Sequence, residues 1–247
     1  MSNQGARSVF GELTVLAIIW SVMVRSNAVL MGVVAAVLMI PSVASAAPKP
    51  PGHTPTLTAK AAPSPVVFGQ STVVSGRLSR TPKDSGQTVQ LQSDPFPYGV
   101  FAAGPTMLTA ANGNYAFASV RPDRNTLYRV HETTGAMLTS NVVLVGVRLN
   151  VTFSVSDSTP SRGQRIHFSG RVRPPHGGKL VRIQRRSSTG VFRTVATTRT
   201  FNPTGKTYSR YSKFLRIFSD GVYQVRVSAG DSDHYSGVSR TRFLNVP

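Results

Sequence analysis

Phe68–Leu78 reads FGQSTVVSGRL, and Arg162–Val172 reads RGQRIHFSGRV. Gly69, Gln70, Ser75, Gly76 and Arg77 return as Gly163, Gln164, Ser169, Gly170 and Arg171, each 94 positions later. Downstream, GQTVQLQ (Gly86–Gln92) matches GKLVRIQ (Gly178–Gln184) at an offset of 92. GVF recurs at Gly99 and Gly190, and LYRV (Leu127–Val130) corresponds to VYQVRV (Val222–Val227). The order is kept while the offset drifts, as happens when loops of different length join equivalent elements. The chain therefore contains two copies of one unit.

Within the quoted stretch the residues alternate. Ile166, Phe168, Gly170 and Val172 share one side of an extended segment, and Arg165, His167, Ser169, Arg171 and Arg173 share the other. Val181 and Ile183 alternate with Arg182 and Gln184, and Tyr223, Val225 and Val227 alternate with Gln224, Arg226 and Ser228. A period of two with one apolar side is the signature of a strand in a sheet with one buried and one solvated face. PPHGG, NPTG, SDG and AGDSD punctuate these runs as turns. No stretch beyond residue 55 carries a helical period, and two copies fit two sandwiches of roughly 100 residues. The expected fold is all-β: two tandem antiparallel β-sandwiches, at residues 56–147 and 148–247. VVLVGVRLNV (Val142–Val151) has no flexible linker. Continuous pairing through it is expected, with the two units abutting.

The recurring G-Q-x-x-x-x-S-G-R-[LV], the G-x-x-V-x-[LI]-Q, the Y-x-V and the closing YSGVSRTRFLNV resemble the Ig-like repeat modules of secreted actinobacterial surface proteins. The resemblance spans nearly all of residues 54–247. It implies Ig-like β-sandwiches; modules of this kind serve as spacers, adhesins and appendages to enzymes. The first copy departs from the pattern: HETTGAMLTSNVVL lacks the acidic turn and tyrosine of DSDHYSG.

Residues 28–40, AVLMGVVAAVLMI, form an apolar run preceded by Arg25 and ended by Pro41. It is short for a bilayer span. Ala44 and Ala46 occupy the small-residue positions of a cleavage site, so residues 1–46 read as a signal peptide cut after Ala46. Leu13–Val24 is a second apolar stretch, which leaves open a true start at Met23 or an uncleaved anchor. APKPPGHTP (Ala47–Pro55) is a stiff proline-rich linker. The expected location is outside the cell, secreted or wall-associated, or anchored in the membrane through the N-terminal segment and facing outward.

Among 247 residues there are 28 basic and 9 acidic side chains, and no cysteine. Without cysteine there is no disulfide, no thiol nucleophile and no lipid-modified cysteine. The charge is unevenly placed. Residues 47–147 carry a net +4, residues 148–247 a net +14, almost all of the latter arginine. A field of that sign attracts polyanions.

Catalytic machinery is not visible. No G-x-S-x-G occurs, Ser75 and Ser169 sit inside strands, and acids are sparse. No phosphate-cradling G-x-x-x-x-G-K-[ST] occurs, and HGGK (His176–Lys179) is a turn. Asp231-Ser232-Asp233-His234 is the best acidic cluster, too poor in oxygens for Ca²⁺. It is expected to form an Asx-turn that offsets arginine charge. His131, His167 and His176 have no partner at ligand spacing along the chain, and the Tyr235 hydroxyl is expected to reach back to a strand. No catalytic, cofactor or metal site is expected.

The remaining candidate is arginine. Arg165, Arg171, Arg173, Arg182, Arg193, Arg199, Arg210 and Arg226 fall at alternate, outward strand positions, and Arg185 and Arg186 form a doublet. The expected polyanion-binding set is Arg165, Arg171, Arg173, Arg182, Arg185, Arg186, Arg193 and Arg226, because guanidinium forks grip phosphate and carboxylate. The alternative is a solvated face that resists edge aggregation. The function expected is non-enzymatic binding or structural display, with anionic wall polymer or acidic glycan as partner. An extracellular nucleic-acid binder and an enzyme of unknown type are the lesser alternatives.

Overall fold

The computed structural model describes residues 54–80 and 83–247. The signal segment, its cleavage point and the linker as far as His53 lie outside the described residues. Among the described residues there are strands, turns and bends but no helix.

The first copy runs β1 (Thr56–Ala62), β2 (Val66–Val67), β3 (Thr72–Ser79), β4 (Thr88–Pro95), β5 (Ala102–Leu108), β6 (Asn114–Val120), β7 (Thr126–Glu132) and β8 (Val143–Val145). After β9 (Val147–Arg148) the second runs β10 (Asn150–Val151), β11 (Ser154–Val155), β12 (Arg165–Arg173), β13 (Leu180–Arg186), β14 (Phe192–Arg199), β15 (Ser209–Arg216), β16 (Gly221–Val227), β17 (Gly237–Val238) and β18 (Arg242–Leu244). In the first copy β1-β3-β6 faces β5-β4-β7-β8. In the second, β10 and β11 flank one edge of β12 and β15 the other, opposite β14-β13-β16 with β17 and β18 on its edge. All these ladders are antiparallel; among the described residues β2 pairs with β9 in parallel, and Arg148 makes an isolated parallel bridge with Tyr235.

Each copy closes over its own apolar cluster. Val74, Leu78, Val89, Leu91, Tyr115, Tyr128 and Val130 are buried in the first, and Phe168, Val172, Val181, Ile183, Tyr211, Tyr223 and Val225 in the second. Both sheets of a copy contribute, which is what makes it a β-sandwich. Burying each large side chain contributes about 1.5–3 kcal/mol, and period-two alternation delivers them all to one side.

The Ser-Gly-Arg of the repeat has a packing cause. A Cβ on Gly76 would overlap the Thr58 carbonyl and the Tyr115 hydroxyl; on Gly170 it would overlap the Thr152 carbonyl and the Tyr211 hydroxyl. Glycine is required because a tyrosine crosses it to reach the neighbouring strand. Tyr211 Oη donates to the Thr152 carbonyl at 2.7 Å, and Tyr115 Oη donates to the Thr58 carbonyl. Burial pushes both hydroxyls well above the ordinary tyrosine range. Arg77 and Arg171 then donate their backbone N–H to the Thr58 and Thr152 hydroxyls, at 3.2 and 2.9 Å.

Two further equivalences escaped the sequence comparison. Ser140 and Ser239 each accept from a core N–H, of Val130 and Val225, at 2.9 Å. Thr109, after β5, and Thr200, after β14, each accept from the N–H of the residue leading into the partner strand, Gln87 before β4 and Lys179 before β13.

Val142–Val151 does not form one ladder. β8 pairs with β7, β9 with β2, and β10 with β12, so the chain changes partner every two or three residues. The loop after β16 docks here. Asn125 donates Nδ2 to the Ser232 carbonyl at 2.8 Å, accepts from Val147 N–H at 2.7 Å, and gives its own N–H to the Asp233 carbonyl at 2.8 Å. Tyr235 exchanges backbone bonds with Val147 and Leu149. Its ring lies on Gly146, where any Cβ would collide with it. The expectation for the Tyr235 hydroxyl is thus replaced: Tyr115 and Tyr211 make the reach-back, and Tyr235 seals the joint between the copies.

Candidate polyanion-binding face

Strand register decides which arginines share a surface. On the outer side of the β12–β15 ladder, Arg171 stands opposite Arg210, Ser169 opposite Ser212, His167 opposite Phe214, and Arg165 opposite Arg216. Arg173 stands opposite Asn150 on the other edge of β12. At about 3.3 Å per residue, Arg165 and Arg171 lie roughly 20 Å apart along β12. All five arginines are exposed.

Aromatic rings interleave with them. The Arg165 guanidinium lies 4.5 Å from the centre of the Phe214 ring, which stacks on His167 at 4.6 Å. Tyr208 carries Arg171 at 4.8 Å, Arg173 at 5.6 Å and Arg210 at 5.7 Å. His167 Nε2 is 2.7 Å from the Ser212 hydroxyl. Cation–π contact holds a guanidinium flat on a ring, so these charges are held in place at the surface.

The other candidates go elsewhere. Arg182 and Arg226 face each other on the outer side of the β13–β16 ladder, the opposite surface of the same sandwich. Arg182 donates to Ser228 Oγ at 2.7 Å. Arg186 shares the phase of Arg182 and donates to the Gly190 carbonyl at 3.3 Å. Arg185 shares the side of the buried Tyr223, its partner in register, and binds the Ser219 hydroxyl at 2.8 Å and the Asp220 carbonyl. Arg193 was expected to point outward by alternation. A bulge between Ile183 and Gln184 shifts the phase and sets it opposite Arg185, at the open end of the core side. One extra residue reverses every side chain beyond it. The expected single set is therefore divided: Arg165, Arg171 and Arg173 on one face, Arg182, Arg186 and Arg226 on the other, and Arg185 and Arg193 at the sandwich end.

Sequence reading left Arg210, Arg216 and Phe214 out of the binding set. YSRYSKFLR (Tyr208–Arg216) alternates with Tyr211 buried, and that phase places Arg210, Ser212, Phe214 and Arg216 outward.

Like charges directly opposite across a ladder are destabilising. Here Arg171–Arg210, Arg165–Arg216, Arg182–Arg226 and Arg185–Arg193 are all such pairs. Among the described residues, none of the arginines after residue 147 forms an ion pair with an acidic side chain; the arginine ion pairs are Arg77–Asp84 and Arg80–Glu132, in the first copy. At the matching register the first copy sets Arg77 opposite Asn114 and Ser75 opposite Ala116.

The acidic cluster also differs from expectation. Asp231 offsets Lys179 at 2.9 Å rather than an arginine. His176, expected to be without partner, lies 3.4 Å from Asp231 and 3.9 Å from Asp233. The fold brings the β12–β13 turn against the β16–β17 loop, more than fifty residues on, which spacing along the chain does not reveal. Burial would raise the Asp233 carboxyl, but the adjoining Asp231, His234 and His176 outweigh it and hold it at about 2.

No protein-family model matches the sequence. No curated protein matches it. Among solved structures, the chain is similar to a tetra-tandem repeat from the extending region of a large adhesion protein, at 17% identity and a TM-score of 0.33 over 78% of this chain. This chain spans half the length of that one, 50%.

Proposed function

We propose that the protein is an exported, non-enzymatic adhesion or display module of Ig-like type, whose second sandwich binds an anionic polymer of the cell wall or extracellular matrix. The supporting observation is the unneutralised arginine ladder of β12 and β15. It holds Arg171–Arg210 and Arg165–Arg216 as facing like-charge pairs with no acid beside them. Such pairs cost stability in the free protein, and a polyanion lying along the ladder removes that cost. The rings favour a polymer without bases. Tyr208 and Phe214 already carry guanidinium groups over their faces, leaving little π-surface for nucleobase stacking.

The test is retention of the full chain on immobilised polyphosphate, teichoic-type polymer and single-stranded DNA across a salt gradient. Replacing Arg165, Arg171, Arg210 and Arg216 by serine is expected to lower the slope of log affinity against log salt by roughly three, at about 0.7 per lost phosphate contact. Replacing Arg182 and Arg226 is expected to change it by less than half as much. Equal losses from both faces would reduce the face to general charge. Preference for DNA over phosphate polymer would select the nucleic-acid alternative.

A further inference from the structure

His176, Asp231, Asp233 and His234 each offer one ligand atom, and the four atoms lie within 4.8 Å of one another. Their surroundings fix which atoms these are. His234 Nε2 lies 2.7 Å from the Asp123 carbonyl, and His176 Nδ1 lies 3.1 Å from the Pro174 carbonyl. A carbonyl only accepts, so those nitrogens carry the ring protons. The opposite nitrogens, His234 Nδ1 and His176 Nε2, face the two carboxylates. With both rings neutral, four acceptors meet in one place, the arrangement a cation satisfies. His234 is 5% exposed, and its Nδ1 and Asp233 Oδ1 are buried without any hydrogen-bond partner.

We propose that this cluster is a binding site for a divalent transition-metal ion of the zinc class, seated at the joint between the two sandwiches. Two imidazoles and two carboxylates form a nitrogen–oxygen set suited to zinc, and too short of oxygens for calcium. Ligands bound to a tetrahedral ion at about 2.1 Å stand roughly 3.4 Å apart. The contacts here are 3.1 Å for His234–Asp233, 3.4 Å for His176–Asp231 and 3.9 Å for His176–Asp233. Small side-chain movements complete the geometry. The carbonyl bonds behind both rings are the outer-shell partners that orient metal-binding histidines. Asp231 and Asp233 side chains are 28% and 29% exposed, which leaves a path for the ion. Lys179, on Asp231 at 2.9 Å, is the competing cation.

The site locks the joint. His234 is tied to the Asp123 carbonyl, and the Asp233 carbonyl accepts from Asn125 N–H, both in the first copy. An ion holding His234 and Asp233 to His176 fastens those bonds to the body of the second sandwich.

The full chain, stripped with chelator, is titrated with Zn²⁺ by calorimetry and with Co²⁺ by visible absorption. One ion per chain and a tetrahedral Co²⁺ spectrum are expected. Zinc at a hundredfold over Kd is expected to raise Tm by roughly 5–10 °C. His176→Gln keeps the packing and Asp231→Asn lies near the surface, so both fold; each is expected to weaken binding at least tenfold. Absence of stoichiometric binding, or unchanged affinity in both variants, would overturn the proposal. Stabilisation by mild acid without any metal binding would also overturn it, and would assign the cluster to imidazolium–carboxylate pairing.

Discussion

Gly170 has Tyr211 lying across it, and the two residues are one device. Substituting alanine pushes a methyl group into the Thr152 carbonyl and the tyrosine hydroxyl. Both strands are paired along their length, so neither retreats freely. Gly170→Ala is expected to destabilise by about 1–3 kcal/mol, whereas Tyr211→Phe loses only one hydrogen bond, about 1 kcal/mol. Urea denaturation of the two variants checks the order. A harmless Gly170→Ala would show that the crossing tyrosine is loosely held. Arg80 and Glu132 are a second residue-scale feature: Glu132 is fully buried, and its carboxylate meets the Arg80 guanidinium at 2.8 Å.

At the scale of the element, the β12–β15 ladder carries a cost and a use together. Arg171 faces Arg210 with Ser169–Ser212 as the next outward row. Relieving one like-charge pair is expected to stabilise by roughly 0.2–1 kcal/mol. Arg210→Ser should therefore raise Tm slightly at low salt while weakening retention on polyphosphate. The gain should vanish at high salt, where the repulsion is screened. Melting curves at two ionic strengths measure it; a loss of stability instead would mean that the contacts of Arg210 with Tyr208 outweigh the repulsion. The bulge in β13–β14 shows the same scale at work in the opposite sense, since a single extra residue removes Arg193 from the face that alternation assigned to it.

At the scale of the molecule, the joint couples two separately packed cores. Asn125 is 3% exposed and bonds Ser232, Asp233 and Val147 at once. Removing it leaves buried backbone groups unpaired, at about 1–3 kcal/mol. Asn125→Ala is expected to split one calorimetric transition into two, with the second sandwich keeping most of its stability. An unchanged single transition would show that the cores are coupled by other contacts. The DSDHYSG segment also gains a reason for appearing in only one copy. Its Asp233, His234 and Tyr235 dock on residues of the preceding copy and the connecting strand.

What the sequence determined by itself is what local periodicity encodes. Alternation placed Ile166, Phe168 and Val172 inside and Arg165, Arg171 and Arg173 outside, because a pleated strand has a strict period of two. The repeat showed two equivalent units, because equivalent cores demand equivalent side chains in the same order. The charge imbalance was visible because it is a property of composition. Only tertiary structure decided which outward arginines share a face, since that depends on which strands pair and in what register. It also decided the phase of Arg193, which a bulge reversed. The pairing of Arg80 with buried Glu132, the three hydrogen bonds of Asn125 and the meeting of His176 with Asp231, Asp233 and His234 were likewise hidden. Each joins residues dozens of positions apart through loops, and contacts across loops follow from the closure of the whole fold rather than from any local spacing.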